Sequence, residues 1–127
     1  MKVVIVVEGE DDIKPFTKVF DYEKSNEFIF FDSIDIIKNK ISKNLKLNIN
    51  ETLALFAAFV VVSLNNNDSD EIIREHSSQL LAPNHVLIGV PELLRKLTFS
   101  ITTDNVADKT LMIESPIPTD TSIHSLH

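Results

Sequence analysis

The chain has 127 residues, 43% hydrophobic and 24% charged, with 12 Lys and Arg against 19 Asp and Glu for a formal charge of −7. That length supports one domain with a single core and excludes two ordinary ones, and the aliphatic content excludes intrinsic disorder. The acidic balance disfavours nucleic-acid partners, and the absence of cysteine excludes disulfides, thiolate metal sites and a cysteine nucleophile.

The chain opens on Val3-Val4-Ile5-Val6-Val7, a continuous β-branched run that reads as one short strand, stopped by the acidic turn Glu8-Gly9-Glu10-Asp11-Asp12. The run is too short for a signal-peptide core and lacks a small-residue cleavage site, so the expected location is cytoplasmic. After Pro15, Ser25 can cap a helix in which Phe28, Phe31, Ile34, Ile37 and Ile41 recur at three- and four-residue steps. Lys38, Lys40 and Lys43 suit its negative end, and Asn44 should stop it. The extended Leu45-Lys46-Leu47 follows.

Asn48 or Asn50 can cap a second helix, with Glu51 in its first turn. Its residues from Leu53 to Leu64 are apolar on nearly every side, so it should be central; at about half the ~20 residues of a membrane span it should not cross a bilayer. Asn65-Asn66-Asn67 breaks it, and Asp68 or Ser69 caps a third helix with Ile72, Ile73 and Leu80 inward. Pro83 is expected to open a short fourth helix and Gly89 to close it. Leu97–Thr103 and Lys109–Glu114 flank Asp104-Asn105-Val106-Ala107-Asp108 as a β-hairpin, and Pro116, Pro118 and a Ser/Thr/His tail end the chain. The expected class is α+β: a small bundle of about four helices, then a C-terminal antiparallel hairpin, with a candidate extra strand at the N-terminus. A lone two-stranded ribbon is marginal in water, so the hairpin must pack on these helices or on another protein's sheet.

Residues with chemical potential are sparse. His124 and His127 have a spacing that would suit a metal on a helix, but they sit in a polar terminus. His76 lies among Glu75, Ser77 and Ser78, and His85 beside Asn84; both read as surface or satisfied histidines. Asp104, Asn105 and Asp108 lack the glycine and terminal glutamate of a calcium loop. No catalytic, cofactor-binding or metal-binding residue is assigned.

The segments Asn44-Leu45-Lys46-Leu47-Asn48 and Gly89-Val90-Pro91-Glu92, with the helix Leu53–Leu64, Leu80-Leu81 and Val86 between them, resemble the urease gamma subunit without a gap. That family carries Gly-Leu-Lys-Leu-Asn and Gly-Val-Pro-Glu in the same register. Asn44 and Asn67 stand where the family has glycine, and asparagine is the residue that best replaces glycine in left-handed backbone. The resemblance covers roughly residues 20–117, leaving 1–19 as an N-terminal extension with its strand and acidic turn, and 118–127 as a polar tail. The family's Glu-Gly-Ala-Arg-Asp-Gly-Lys at the end of the second helix is replaced by Val62-Ser63-Leu64-Asn65-Asn66-Asn67-Asp68.

The resemblance implies a non-catalytic scaffold subunit. It implies urease alpha and beta partners in a trimer of heterotrimers, with urea hydrolysed to ammonia and carbamate at two nickel ions held by the alpha subunit. No cofactor in this chain, no nucleic acid and no membrane are implied. Two alternatives stand beside it. One is a relative that keeps the gamma fold but serves another complex. The other rests on Val7 to Asp12, which resembles the opening of Toprim domains, where a strand-end Glu8 and a later acidic pair such as Asp32 and Asp35 would hold Mg²⁺.

Overall fold

The computed structural model describes residues 2–10, 13–21, 27–103 and 106–118, with side chains described at all of these except 21, 27–34, 103, 106 and 107. In chain order the elements are β1 (Lys2–Glu8), β2 (Phe16–Asp21), α1 (Glu27–Ser42), α2 (Ile49–Asn65), α3 (Asp70–Ser77), a 3₁₀ turn (Pro83–His85), α4 (Val90–Leu93), β3 (Lys96–Thr103) and β4 (Val106–Glu114). The α+β class holds. The C-terminal hairpin does not stand alone: β1 pairs with β3 and with β2, giving one antiparallel sheet in the order β2-β1-β3-β4.

Strand parity explains how the sheet meets the helices. In a strand successive side chains alternate faces. Val3, Ile5 and Val7 are buried, and they face Ile101, Phe99 and Leu97 across the β1–β3 ladder. Leu111 and Ile113 of β4 continue the same face beside Phe99 and Leu97. The other face carries Val4, Val6, Thr98, Ser100 and Met112, all at least partly exposed.

Against the apolar face lies α2. Its Leu53, Leu55, Phe56, Ala57, Ala58, Val60 and Val61 are all buried, as an apolar circumference requires. Ile37 of α1, Ile73 of α3, and Leu47, Leu81, Val86, Val90, Leu94 and Ile117 from the remaining segments complete one continuous core. In α1, Ile37 is buried and Ile41 packs at the core margin, whereas the expected inward Phe28, Phe31 and Ile34 have side chains outside the described residues.

Three points differ from expectation, the first being Ile72, which is exposed on α3 while its neighbour Ile73 fills the inward position. Gly89 does not close a fourth helix from Pro83: Pro83–His85 is a single 3₁₀ turn, and Gly89, at φ +94°, is the N-cap that starts α4. Pro91 just inside that start fits, since its missing N–H falls among the unsatisfied first-turn donors. The strand β2 has no clear sequence signal: Phe16-Thr17-Lys18-Val19-Phe20 alternates over too few residues to be distinguished from a loop after Pro15.

Candidate interaction site

The Asn44 segment meets the stretch Asn84–Leu87 that leads into Gly89. Asn44 has φ +59°, and the amides of Asn44 and Leu45 donate to Ile41 O at 3.0 Å and Lys40 O at 2.8 Å. This is a Schellman ending, which satisfies carbonyls at the end of α1 and requires one left-handed residue. Asn67, at φ +60°, ends α2 in the same way: its amide donates to Leu64 O and that of Asp68 to Ser63 O, both at 3.0 Å. Both asparagines therefore occupy the left-handed positions anticipated for them.

Beyond Asn44 the chain runs extended to Leu47, whose N–H donates to His85 O and whose carbonyl accepts from the Leu87 N–H, both at 2.9 Å. This parallel bridge between Leu47 and Val86 ties the two segments together. The Lys46 ammonium adds a bond to Asn84 O at 2.8 Å. Leu47 and Val86 point into the core, while Leu45, Leu87 and Ile88 point out; Ile88 is fully exposed and the other two about half.

Asn48 then caps α2 in a reciprocal box. Its side chain accepts from the Glu51 N–H at 2.8 Å, and its own N–H donates to Glu51 Oε1 at 3.0 Å. The second oxygen of Glu51 meets the Lys40 ammonium at 2.6 Å, joining the end of α1 to the start of α2. Partial burial pushes the Glu51 carboxyl up, but the Asn48 amide and the Lys40 ammonium outweigh it and hold the group below its ordinary value.

Two of the four histidines lie among the described residues. His85 Nδ1 accepts the Ala82 N–H at 3.0 Å and so closes the 3₁₀ turn. His76 lies on the exposed side of α3, and His124 and His127 fall outside the described residues. Among the described residues no group of three or more His, Asp or Glu could hold a metal ion. A depression is lined by Arg74, Met112, Ile113 and Glu114, and Arg74 Nε there donates to Met112 O at 2.9 Å.

The Toprim-like reading fails on topology. Phe30-Phe31-Asp32, which would have to be a second strand, lies within α1, as does Asp35. Every strand pairing in the sheet is antiparallel, and the Glu8 carboxylate faces Lys96 of β3 at 4.0 Å. Asp11, Asp12, Asp104 and Asn105 lie outside the described residues, and Asp108 is exposed on β4. No described helix is long and apolar enough to cross a membrane.

What the molecule presents instead is a pair of segments joined by a parallel bridge, with Leu45, Leu87 and Ile88 turned to solvent. The family model for the urease gamma subunit matches residues 21–117, a span running from the end of β2 through Ile117. The urease subunit gamma of Halalkalibacterium halodurans is 28% identical over 96 residues, covering 75% of this chain and 93% of that protein. With residues 21–117 matched, well over half of its length, the chain belongs to the urease gamma subunit family.

Proposed function

We propose that this protein is a structural, non-catalytic subunit of a multi-subunit urease. In this reading the partners are urease alpha and beta subunits assembled as a trimer of heterotrimers in the cytoplasm. Urea is hydrolysed to ammonia and carbamate at a nickel pair held by the alpha subunit. The observation that carries the reading is the family match over residues 21–117, which spans the helical core and the β3–β4 hairpin. The outward Leu45, Leu87 and Ile88 support it, since a fully exposed isoleucine on a hydrogen-bonded turn is costly in water and useful at a subunit contact. The described residues do not fit a nickel site of their own, as they bring no histidine or carboxylate cluster together.

Co-expression tests the proposal. The tagged chain, produced with urease alpha and beta subunits from the same genome, is expected to co-elute with them and to leave activity dependent on their histidines alone. Elution of this chain by itself, with alpha and beta assembling without it, would refute the proposal. A second reading has one observation in its favour: β1 and nearly all of β2 lie outside the family match, yet they supply two of the four strands of the sheet, with β1 central in it. A gamma-type fold serving a different complex would fit that addition, and capture of other partners in the same experiment would select it.

A further inference from the structure

The acidic turn after β1, which suggested a metal site, has a different use. Glu8 O accepts the Arg95 N–H at 3.0 Å, and the Glu10 N–H donates to Glu92 O at 3.1 Å. The Glu10 carboxylate meets the Arg95 guanidinium at 2.6 Å, and the Glu8 carboxylate faces Lys96 at 4.0 Å. Between them, a Cβ on Gly9 would lie 3.0 Å from Glu92 O and 3.1 Å from Leu93 O. Glycine here permits the turn to rest directly on the backbone of α4. Each contact joins a residue outside the family match to one within Glu92–Lys96, just after the Gly-Val-Pro-Glu motif.

The family segment supplies little sheet. Within residues 21–117 lie only β3, β4 and the last residue of β2, so β3 on that segment alone would present an open edge from Lys96 to Thr102. An open edge is a template for strand addition by another chain. Here β1 fills it along seven paired positions, burying Val3, Ile5 and Val7. The remaining edges are also managed. Arg74 donates to Met112 O, and Asp70 pairs with Lys109 at 2.7 Å, so α3 leans over β4. The outer strand β2 is short, follows Pro15 and turns the half-buried Lys18 toward the core face opposite Ile5; an inward charge is a recognised guard against edge pairing.

We infer that the N-terminal hairpin is a tethered edge cap: β1 occupies the strand-acceptor edge of β3, latched by Glu8-Gly9-Glu10 onto α4 and Arg95, so partner subunits dock on the faces of this protein and not by strand addition. The inference rests on the subunit role proposed above only for its last clause. The cap itself is a property of the chain alone.

The test uses the full chain, whose lack of cysteine makes an engineered pair unambiguous. Val4 and Ser100 are register partners on the partly exposed face, within reach of a disulfide in Val4→Cys/Ser100→Cys. Oxidation is expected to slow amide exchange along Leu97–Ile101 and across α2 by the same factor, because β1 is already seated and the cross-link then acts only through the unfolded chain. Gly9→Val, which pushes carbon into the Glu92 and Leu93 carbonyls, should speed exchange across β1 and β3 by at least about tenfold and across α2 by less.

Failure of the two thiols to pair, a slowing on oxidation confined to β1 and β3 with α2 unchanged, or no effect of Gly9→Val would overturn the cap. Both forms are then mixed with urease alpha and beta subunits. Equal incorporation supports docking on faces, and incorporation of the reduced form alone overturns it. If neither these forms nor the unmodified chain incorporates, the urease role fails while the exchange comparison still decides the cap.

Discussion

Truncating Ile5 tests whether the N-terminal strand belongs to the core. Ile5 is fully buried at the middle of β1, between Lys18 of β2 and Phe99 of β3. Replacing it with alanine removes three carbons, worth about 2.4 kcal/mol at ~0.8 kcal/mol each, and leaves a cavity that the ladder on both sides keeps from collapsing. The expected loss is therefore about 3–4 kcal/mol, a large share of the ~5–15 kcal/mol typical of a folded domain. Val4→Ala, on the opposite face of the same strand, is the control and should cost about 1 kcal/mol or less. Urea unfolding followed by far-ultraviolet circular dichroism measures both, and an unchanged m-value would show that the cost lies in the native state. If Ile5→Ala cost no more than Val4→Ala, strand parity would be wrong and β1 would be an ornament on the fold.

Three further outcomes follow from the Asn44 and Gly89 segments. At Gly89 a Cβ would meet nothing within 4 Å, so Gly89→Ala isolates the backbone term: about 1–2 kcal/mol for a left-handed L-residue, less ~0.4–1 kcal/mol for the stiffer unfolded chain, leaving a net loss near 1 kcal/mol by thermal unfolding. Glu51 has a folded pKa below its unfolded one, so its contribution is present above the ordinary carboxylate range and is lost as pH falls through that range to the folded value. The urea midpoint of Glu51→Gln should accordingly fall less steeply than that of the unmodified chain between about pH 5 and pH 3. Ile88→Asp should leave the free chain's stability within about 0.5 kcal/mol, since the side chain is fully exposed, yet reduce co-purification with urease partners at least tenfold if that turn is a contact.

Local signals in this sequence were legible where one residue's chemistry decided the outcome. Asn48 or Asn50 for the cap of α2 and Asp68 or Ser69 for that of α3 narrow each start to two residues, of which Asn48 and Ser69 serve, and Asn44 and Asn67 are the two helix stops. Gly89 was misplaced although its neighbours carried the answer: Pro91 two residues on marks a helix beginning, and that signal outranks glycine's preference for helix ends. The roles of β2 and the acidic turn were not legible because their partners are remote. Arg95 lies 85 positions from Glu10, and β2 becomes a strand by pairing with β1 more than by propensity. Likewise the outward aim of Ile88 depends on the Leu47–Val86 bridge, which no local pattern announces.

That bridge also gives the family register a physical basis. Leu47 must offer its N–H to His85 and its carbonyl to Leu87, while the next residue, Asn48, must cap α2 and Glu51 must reach back to both Asn48 and Lys40. On the other side, Val86 must be buried two residues before Ile88 is exposed and three before Gly89 turns left-handed into α4. Adding or removing one residue on either strand of the bridge would exchange a buried side chain for an exposed one and break a cap in the same step. Substitution at the left-handed positions is cheaper, since asparagine tolerates what glycine permits. A sequence under those constraints can drift far in identity while its spacing stays fixed, and that is why Leu-Lys-Leu-Asn and Gly-Val-Pro-Glu identify the fold better than any residue count does.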